Sequence, residues 1–299
     1  LEGAIRGPVT RHEKLDSDFS HIALSPDSKK LALIVHGEVF ATDAEKGGRA
    51  QRLTRTAAEE YDLAWAPDSR RLVYGSEREG HGQLYLYDFA TDKETPLARG
   101  DGEDTDPAFS PDGKQLAFLR NSRELCVLDL TSGRVRTLVR GPIDLPRPLE
   151  SSQPFAWSPD GRWIAYLSWG PRMFRNAQAV ALVDGKTATL SSLANTSADN
   201  VLWSPDRTTL LFTTGQRTEA GRIARVDLLP RTPVFHEDRF QDLFKKQPDE
   251  SSKAGHADAN PEQHDTQSPK TPVRIDADGI RDRLSLLPVG LDVEAVQIS

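Results

Sequence analysis

Short apolar runs recur along this chain, each entered through a polar turn. They are Leu31-Ala32-Leu33-Ile34, Leu72-Val73-Tyr74, Leu116-Ala117-Phe118-Leu119, Ile164-Ala165-Tyr166-Leu167 and Leu210-Leu211-Phe212. Runs of this length, without helical spacing, read as strands buried on both faces. An apolar or aromatic residue and a Ser-Pro-Asp turn stand ahead of each. The copies are Leu24-Ser25-Pro26-Asp27, Trp65-Ala66-Pro67-Asp68, Phe109-Ser110-Pro111-Asp112, Trp157-Ser158-Pro159-Asp160 and Trp203-Ser204-Pro205-Asp206. Their prolines lie 41, 44, 48 and 46 residues apart. A strand-rich repeat of that period is one blade of a β-propeller.

The turn chemistry is specific. Proline presets φ at the second position, aspartate suits the third, and the fourth needs a left-handed backbone that glycine accepts. Gly113 and Gly161 fill that fourth position, but Ser28, Ser69 and Arg207 stand there in the other copies. Each non-glycine residue held there costs on the order of 1 kcal/mol, bearable in a large array. After the second strand, a turn such as Asn121-Ser122-Arg123 leads into a third strand, Glu124-Leu125-Cys126-Val127-Leu128. Third strands are expected to end at Asp43, Asp88, Asp129, Asp184 and Asp227, with outer strands near Arg52-Leu53-Thr54, Thr95-Pro96-Leu97, Val135 to Leu138 and Thr189-Leu190. The predicted fold is therefore all-β, a β-propeller of four-stranded antiparallel blades. About five to six blades are present.

The repeat breaks after Asp227. Residues 1–235 read as blades, 236–272 as a polar linker or inserted loop, and 273–299 as a return to the propeller. The loop carries eight acidic and five basic side chains with little apolar material, the composition of a linker. Glu237 to Lys246 is compatible with a short amphipathic helix, and Val273-Arg274-Ile275-Asp276 and Arg283 to Leu287 are strand-like again. The last residues, Val296-Gln297-Ile298-Ser299, look like the entry to another Ser-Pro-Asp turn. The expectation is a piece of a longer protein.

Composition narrows the function classes. A net charge of −7 offers no basic face for nucleic acid. No apolar run approaches the roughly 18 residues of a membrane span. The single Cys126 excludes an internal disulfide and reads as a buried thiol. A cysteine-poor chain suits the cytoplasm and a bacterial periplasm alike. No cofactor and no metal site is expected, since the seven histidines show no ligand spacing. The turn serines repeat in every blade but one, whereas a nucleophile is singular and needs a base beside it. A Gly-x-Ser-x-Gly elbow is absent. No catalytic residue is expected in this chain.

Two groups of residues are candidates for contact with a ligand or a second domain. Acidic residues, among them Glu60, Asp62, Asp104 and Asp106, precede two blade-starting strands and belong at one rim, where loops meet ligands. Such a set attracts cations or the amino ends of peptides; the alternative is a set of solvated turn carboxylates. The run Gly170-Pro171-Arg172-Met173-Phe174-Arg175-Asn176 departs most from the repeat. Arg172, Phe174, Arg175 and Asn176 belong either to a binding or domain-contact loop or to a plain packing loop.

Four runs resemble the second propeller of tricorn-type serine peptidases. They are Gly7-Pro8-Val9-Thr10-Arg11-His12-Glu13-Lys14, His36-Gly37-Glu38-Val39-Phe40, Gly170 to Asn176, and Arg274-Ile275-Asp276-Ala277-Asp278-Gly279-Ile280. The resemblance spans nearly the whole chain except the polar loop. The Ser-Pro-Asp turns alone are less specific, being shared with TolB-like and prolyl-oligopeptidase-like propellers. The resemblance implies a seven-bladed parent propeller that filters peptide substrates. It implies catalytic serine, histidine and glutamate in later domains beyond a PDZ-like module, and a homo-oligomeric parent in the cytoplasm, with the periplasm as the alternative. The alternatives are a TolB-like protein-binding propeller, or the propeller of an amidohydrolase or prolyl-oligopeptidase-like enzyme.

Overall fold

A computed structural model describes residues 19–149, 153–215, 221–230 and 271–287. The Gly7 to Lys14 run, the helix considered over Glu237 to Lys246, most of the polar loop and the turn entry at Ser299 lie outside these residues. The described residues form five four-stranded antiparallel sheets, each a simple meander. Blade 1 holds β1 (Phe19–Leu24), β2 (Lys30–Val35), β3 (Glu38–Asp43) and β4 (Gln51–Arg52). Blade 2 holds β5 (Glu60–Trp65), β6 (Arg71–Ser76), β7 (Gln83–Asp88) and β8 (Lys93–Pro96). Blade 3 holds β9 (Asp104–Phe109), β10 (Gln115–Arg120), β11 (Glu124–Asp129) and β12 (Val135–Arg140). Blade 4 holds β13 (Phe155–Trp157), β14 (Trp163–Trp169), β15 (Arg175–Ala181) and β16 (Thr187–Thr189). Blade 5 holds β17 (Val201–Trp203), β18 (Thr209–Thr214), β19 (Arg222–Asp227) and β20 (Leu284–Leu286).

Two boundaries differ from the sequence expectation. The third strand of blade 4 ends at Ala181 rather than Asp184, because Asp184 is used in the following turn, where its carboxylate accepts the Lys186 N–H. The Val273-Asp276 run forms no strand. Its Val273 N–H is taken by the Asp160 carboxylate at 2.7 Å, while the Asp276 N–H reaches the Leu228 carbonyl. Among the described residues after Asp227, only Leu284–Leu286 returns to a ladder, on β19, so the long insertion falls between the third and fourth strands of blade 5.

The core is divided among the blade interfaces. Leu72 and Tyr74 of β6 pack toward blade 1 with Ile34 and Val39, while Val73 between them faces blade 3 with Leu116 and Phe118. Ala117 and Leu119 of β10 then face blade 4, against Ile164 and Tyr166. Both faces of each central strand are buried, so these runs are continuously apolar rather than alternating. A second link joins the blades. The indole N–H groups of Trp65, Trp157 and Trp203 donate to the carbonyls of Ala23, Ala108 and Ala156 in the preceding blade, at 2.9–3.0 Å. At the corresponding place in blade 1, Leu24 is 55% exposed.

All five turns share one geometry. The fourth residue is left-handed in every copy: φ is 58° at Ser28, 55° at Ser69, 67° at Gly113, 68° at Gly161 and 65° at Arg207. Its N–H donates to the carbonyl of the first turn residue each time. The serine hydroxyl donates to the aspartate two residues on and accepts the N–H five residues on, as at Ser110, where the distances are 2.7 and 2.9 Å. Ala66 lacks this hydroxyl, and there Asp68 accepts the N–H groups of both Arg70 and Arg71.

Candidate functional site: the charged mouth

First strands of successive blades lie side by side, so their starts form one mouth at the end opposite the Ser-Pro-Asp turns. The sequence predicts two acidic pairs there, Glu60 with Asp62 and Asp104 with Asp106. Strict alternation would put both members of a pair on one face of the strand. The structure separates them by β-bulges, one between Tyr61 and Leu63 and one opposite the Ala117–Leu119 stretch. Asp62 and Asp106 sit in these bulges in the left-handed region, with φ of 49° and 54°. A non-glycine residue in that conformation carries strain of order 1–3 kcal/mol and marks a position held by its surroundings.

The first member of each pair turns inward. Glu60 is fully buried, with the hydroxyls of Thr56 and Ser76 donating to it at 2.7 and 3.0 Å and Arg78 at 3.5 Å. Burial pushes its carboxyl above the ordinary value. Asp104 is clamped by both arms of Arg120, at 2.7 and 2.8 Å, and this pairing raises the guanidinium value further. Both carboxylates are buried and bonded within their own blades.

The second members belong to an arc of ionisable groups that runs across blades 1 to 4. His21 Nε2 lies 3.5 Å from Asp62 Oδ1, and Asp62 Oδ2 accepts the backbone N–H of Asp106 at 2.7 Å. The Thr105 hydroxyl donates to Asp106 at 2.8 Å. Asp106 in turn acts electrostatically on Arg175. Arg175 opens β15 and is 2% exposed; it donates to the carbonyls of Ile143 and Ala198 and to Asp144 at 3.1 Å, with Asp199 at 3.6 Å. Its guanidinium also lies 4.2 Å from the Trp169 ring centre. Burial pulls its value down while the three carboxylates oppose that shift.

The other residues of the Gly170–Asn176 run do not join this arc. Gly170 to Phe174 form a tight hairpin end, closed by a bond from the Gly170 N–H to the Phe174 carbonyl. Arg172 is exposed at its tip and Phe174 is half-buried. Asn176 holds the loop after β16, its side chain bonded to Ser191 and to the backbone of Leu193.

Arg147 is a residue that sequence reasoning missed. Its loop, residues 141–149, crosses back over blade 2, and its guanidinium lies 3.5 Å from the Tyr61 ring centre with bonds to Glu103 and Glu77. Tyr61 lies over Gly75, where an added Cβ would be 2.1 Å from its ring. No repeat signal announces this contact; only the pairing of glycines in β6 and the following turn hints at a bulky neighbour.

The described residues contain no cluster of three or more metal-ligating side chains. No helix among them is long and apolar enough to cross a membrane.

The TolB beta propeller domain model matches residues 13–149. The fold is that of a TolB-like β-propeller. The chain is 30% identical over 113 residues to "Uncharacterized peptidase YuxL" of Bacillus subtilis, covering 34% of this chain and 16% of the relative. It is 27% identical over 203 residues to Dipeptidyl-peptidase 5 of Porphyromonas gingivalis, covering 51% of this chain and 30% of the relative. The chain thus matches less than a third of the length of either relative. Among solved structures, the tricorn protease superposes on 93% of this TolB-like propeller and 26% of its own chain, with a TM-score of 0.59 and 14% identity. At that identity the likeness is one of fold.

Proposed function

We propose that this TolB-like propeller is the non-catalytic module of a tricorn-like serine peptidase and guides peptide substrates through its charged mouth to a protease domain elsewhere in the polypeptide. The observation that carries this reading is the coupled pair of bulged carboxylates, Asp62 and Asp106, with His21 against Asp62, at the starts of the first strands. Local strain of this kind recurs at ligand-binding positions. Carboxylates at a mouth favour the positive amino end of a peptide, and Arg175 with Asp144 and Asp199 fixes the blade 4 side of the opening. The two peptidase relatives support the same class of substrate. Selection is steric and electrostatic, without bond cleavage. The turn hydroxyls of Ser25, Ser110, Ser158 and Ser204 are each committed to a neighbouring aspartate, which suits a structural role. The partners proposed are peptides, the PDZ-like and peptidase domains of the same polypeptide, and further copies in a homo-oligomer.

Binding and turnover of one labelled peptide by the purified chain test this reading together. Saturable binding without hydrolysis is expected. Hydrolysis that survives alanine replacement of the histidines, or absence of binding to peptides of any composition, would overturn it.

A further inference from the structure

A second cleft lies on the other face of the molecule, away from the mouth. It has a volume of about 600 Å³ and opens between the Ser-Pro-Asp turns of blades 3 and 4, a size within the range of ligand sites. Lys114, Arg136 and Arg162 line it from both sides, and all three are exposed. Leu182 is buried at its wall, and Val183 stands 94% exposed beside it.

The charges in this cleft balance by count, but they are engaged differently. Asp112 accepts the Ser110 hydroxyl and the Lys114 N–H. Asp129 accepts the N–H groups of Thr131 and Ser132, and Asp160 accepts the Ser158 hydroxyl and the N–H groups of Arg162 and Val273. These carboxylates are spent on turns, and all three are held below the ordinary carboxylate range. The side chains of Lys114, Arg136 and Arg162 have no ion-pair partner among the described residues. The cleft therefore offers unused side-chain donors on Lys114, Arg136 and Arg162, beside three aspartates whose own acceptor sites are taken by the turns.

Arg136 connects the cleft to a free sheet edge. It lies on β12, the outermost strand of blade 3, whose far side pairs with nothing among the described residues. β12 has six residues, against two, four, three and three in the other outer strands. A long free edge presents backbone N–H and C=O groups in register for an added strand.

We propose that blade 3 takes an extended acidic segment of a partner protein, paired along β12 with its carboxylates on Lys114, Arg136 and Arg162. The free edge selects polypeptide, because main-chain pairing needs a second backbone. The free donors of the three cations suit carboxylate acceptors, and Val183 offers an apolar contact at the cleft rim. This site is independent of the mouth.

Fluorescence anisotropy with a short labelled peptide of alternating glutamate and valine tests the proposal, with its lysine–valine counterpart as control. The expected result is binding of the acidic peptide alone, weakened about tenfold in an Arg136→Glu/Arg162→Glu variant, since each substitution replaces an exposed donor with a repelling carboxylate. Both positions are exposed, and circular dichroism checks that the variant folds. Hydrogen exchange adds the second readout: the amides of Val135–Arg140 slow on binding. Equal binding of both peptides, or an unaffected double variant, overturns the proposal. So does binding that leaves those amides unslowed and is matched by an oligonucleotide of equal charge, which would mark a general polyanion surface.

Discussion

The two ends of the first strands follow opposite rules. At the turn end, five copies adopt one backbone geometry although three of them lack the glycine that geometry favours. At the mouth end, equivalent positions diverge. Three residues ahead of each strand's closing residue stand His21, Asp62, Asp106, Pro154 and Asn200. The turn end joins strands and needs the same chemistry each time. The mouth end is where strain, charge and long loops accumulate, and they differ from blade to blade. Repetition marks scaffold, and departure from repetition marks the candidate site.

This contrast can be broken by substitution. The largest effect is expected at the mouth, from Arg175→Ala. Removing one partner of a buried ion pair leaves Asp144 without its guanidinium, at a cost of about 3–5 kcal/mol. Urea denaturation should show a large fall in midpoint; a fall no greater than that of Arg172→Ala, at the exposed hairpin tip, would mean that Arg175 is not the keystone of blade 4. A smaller loss is expected at the blade interface. Trp203→Phe keeps most of the packing but removes the bond to the Ala156 carbonyl, costing about 1–3 kcal/mol. An unchanged midpoint would assign the tryptophan to packing alone.

The smallest effects lie in the turns and have opposite ingredients. Ser28→Gly relieves a left-handed residue whose side chain makes no hydrogen bond among the described residues, and should stabilise by about 0.4–1 kcal/mol. Ser69→Gly relieves the same conformation but loses the hydroxyl that accepts the Asp27 N–H at 2.9 Å. Its net change should lie near zero. Equal gains from the two substitutions would show that the link between neighbouring turns contributes nothing.

The sequence made the turn end legible because proline, aspartate and the following apolar run act locally. The left-handed fourth position was readable even at Arg207, since the other four residues of the repeat dictate it. The mouth was legible only in part. Its acidic residues stood out, but their sorting into buried Glu60 and Asp104 and bulged Asp62 and Asp106 depends on bulges that alternation does not announce. Arg175 looked like part of an irregular loop and is a strand residue among buried partners. Arg147 acts across two blades, on Tyr61 and Glu77, and no local pattern carries such a contact. The insertion after Asp227 hid the outer strand of blade 5, because the strand that completes the sheet comes some fifty-five residues later in the chain.

The central claim is that the bulged carboxylates receive peptides, and the Asp62→Asn/Asp106→Asn variant tests it most directly. Asparagine keeps an oxygen to accept the Asp106 N–H, so the substitution removes charge and spares the bulge. Calorimetric titration with a short peptide bearing a free amino terminus should show binding weakened about tenfold, a difference of roughly 1.4 kcal/mol, with the urea midpoint unchanged. Unchanged affinity in a folded double variant would contradict the account and leave the mouth a structural rim.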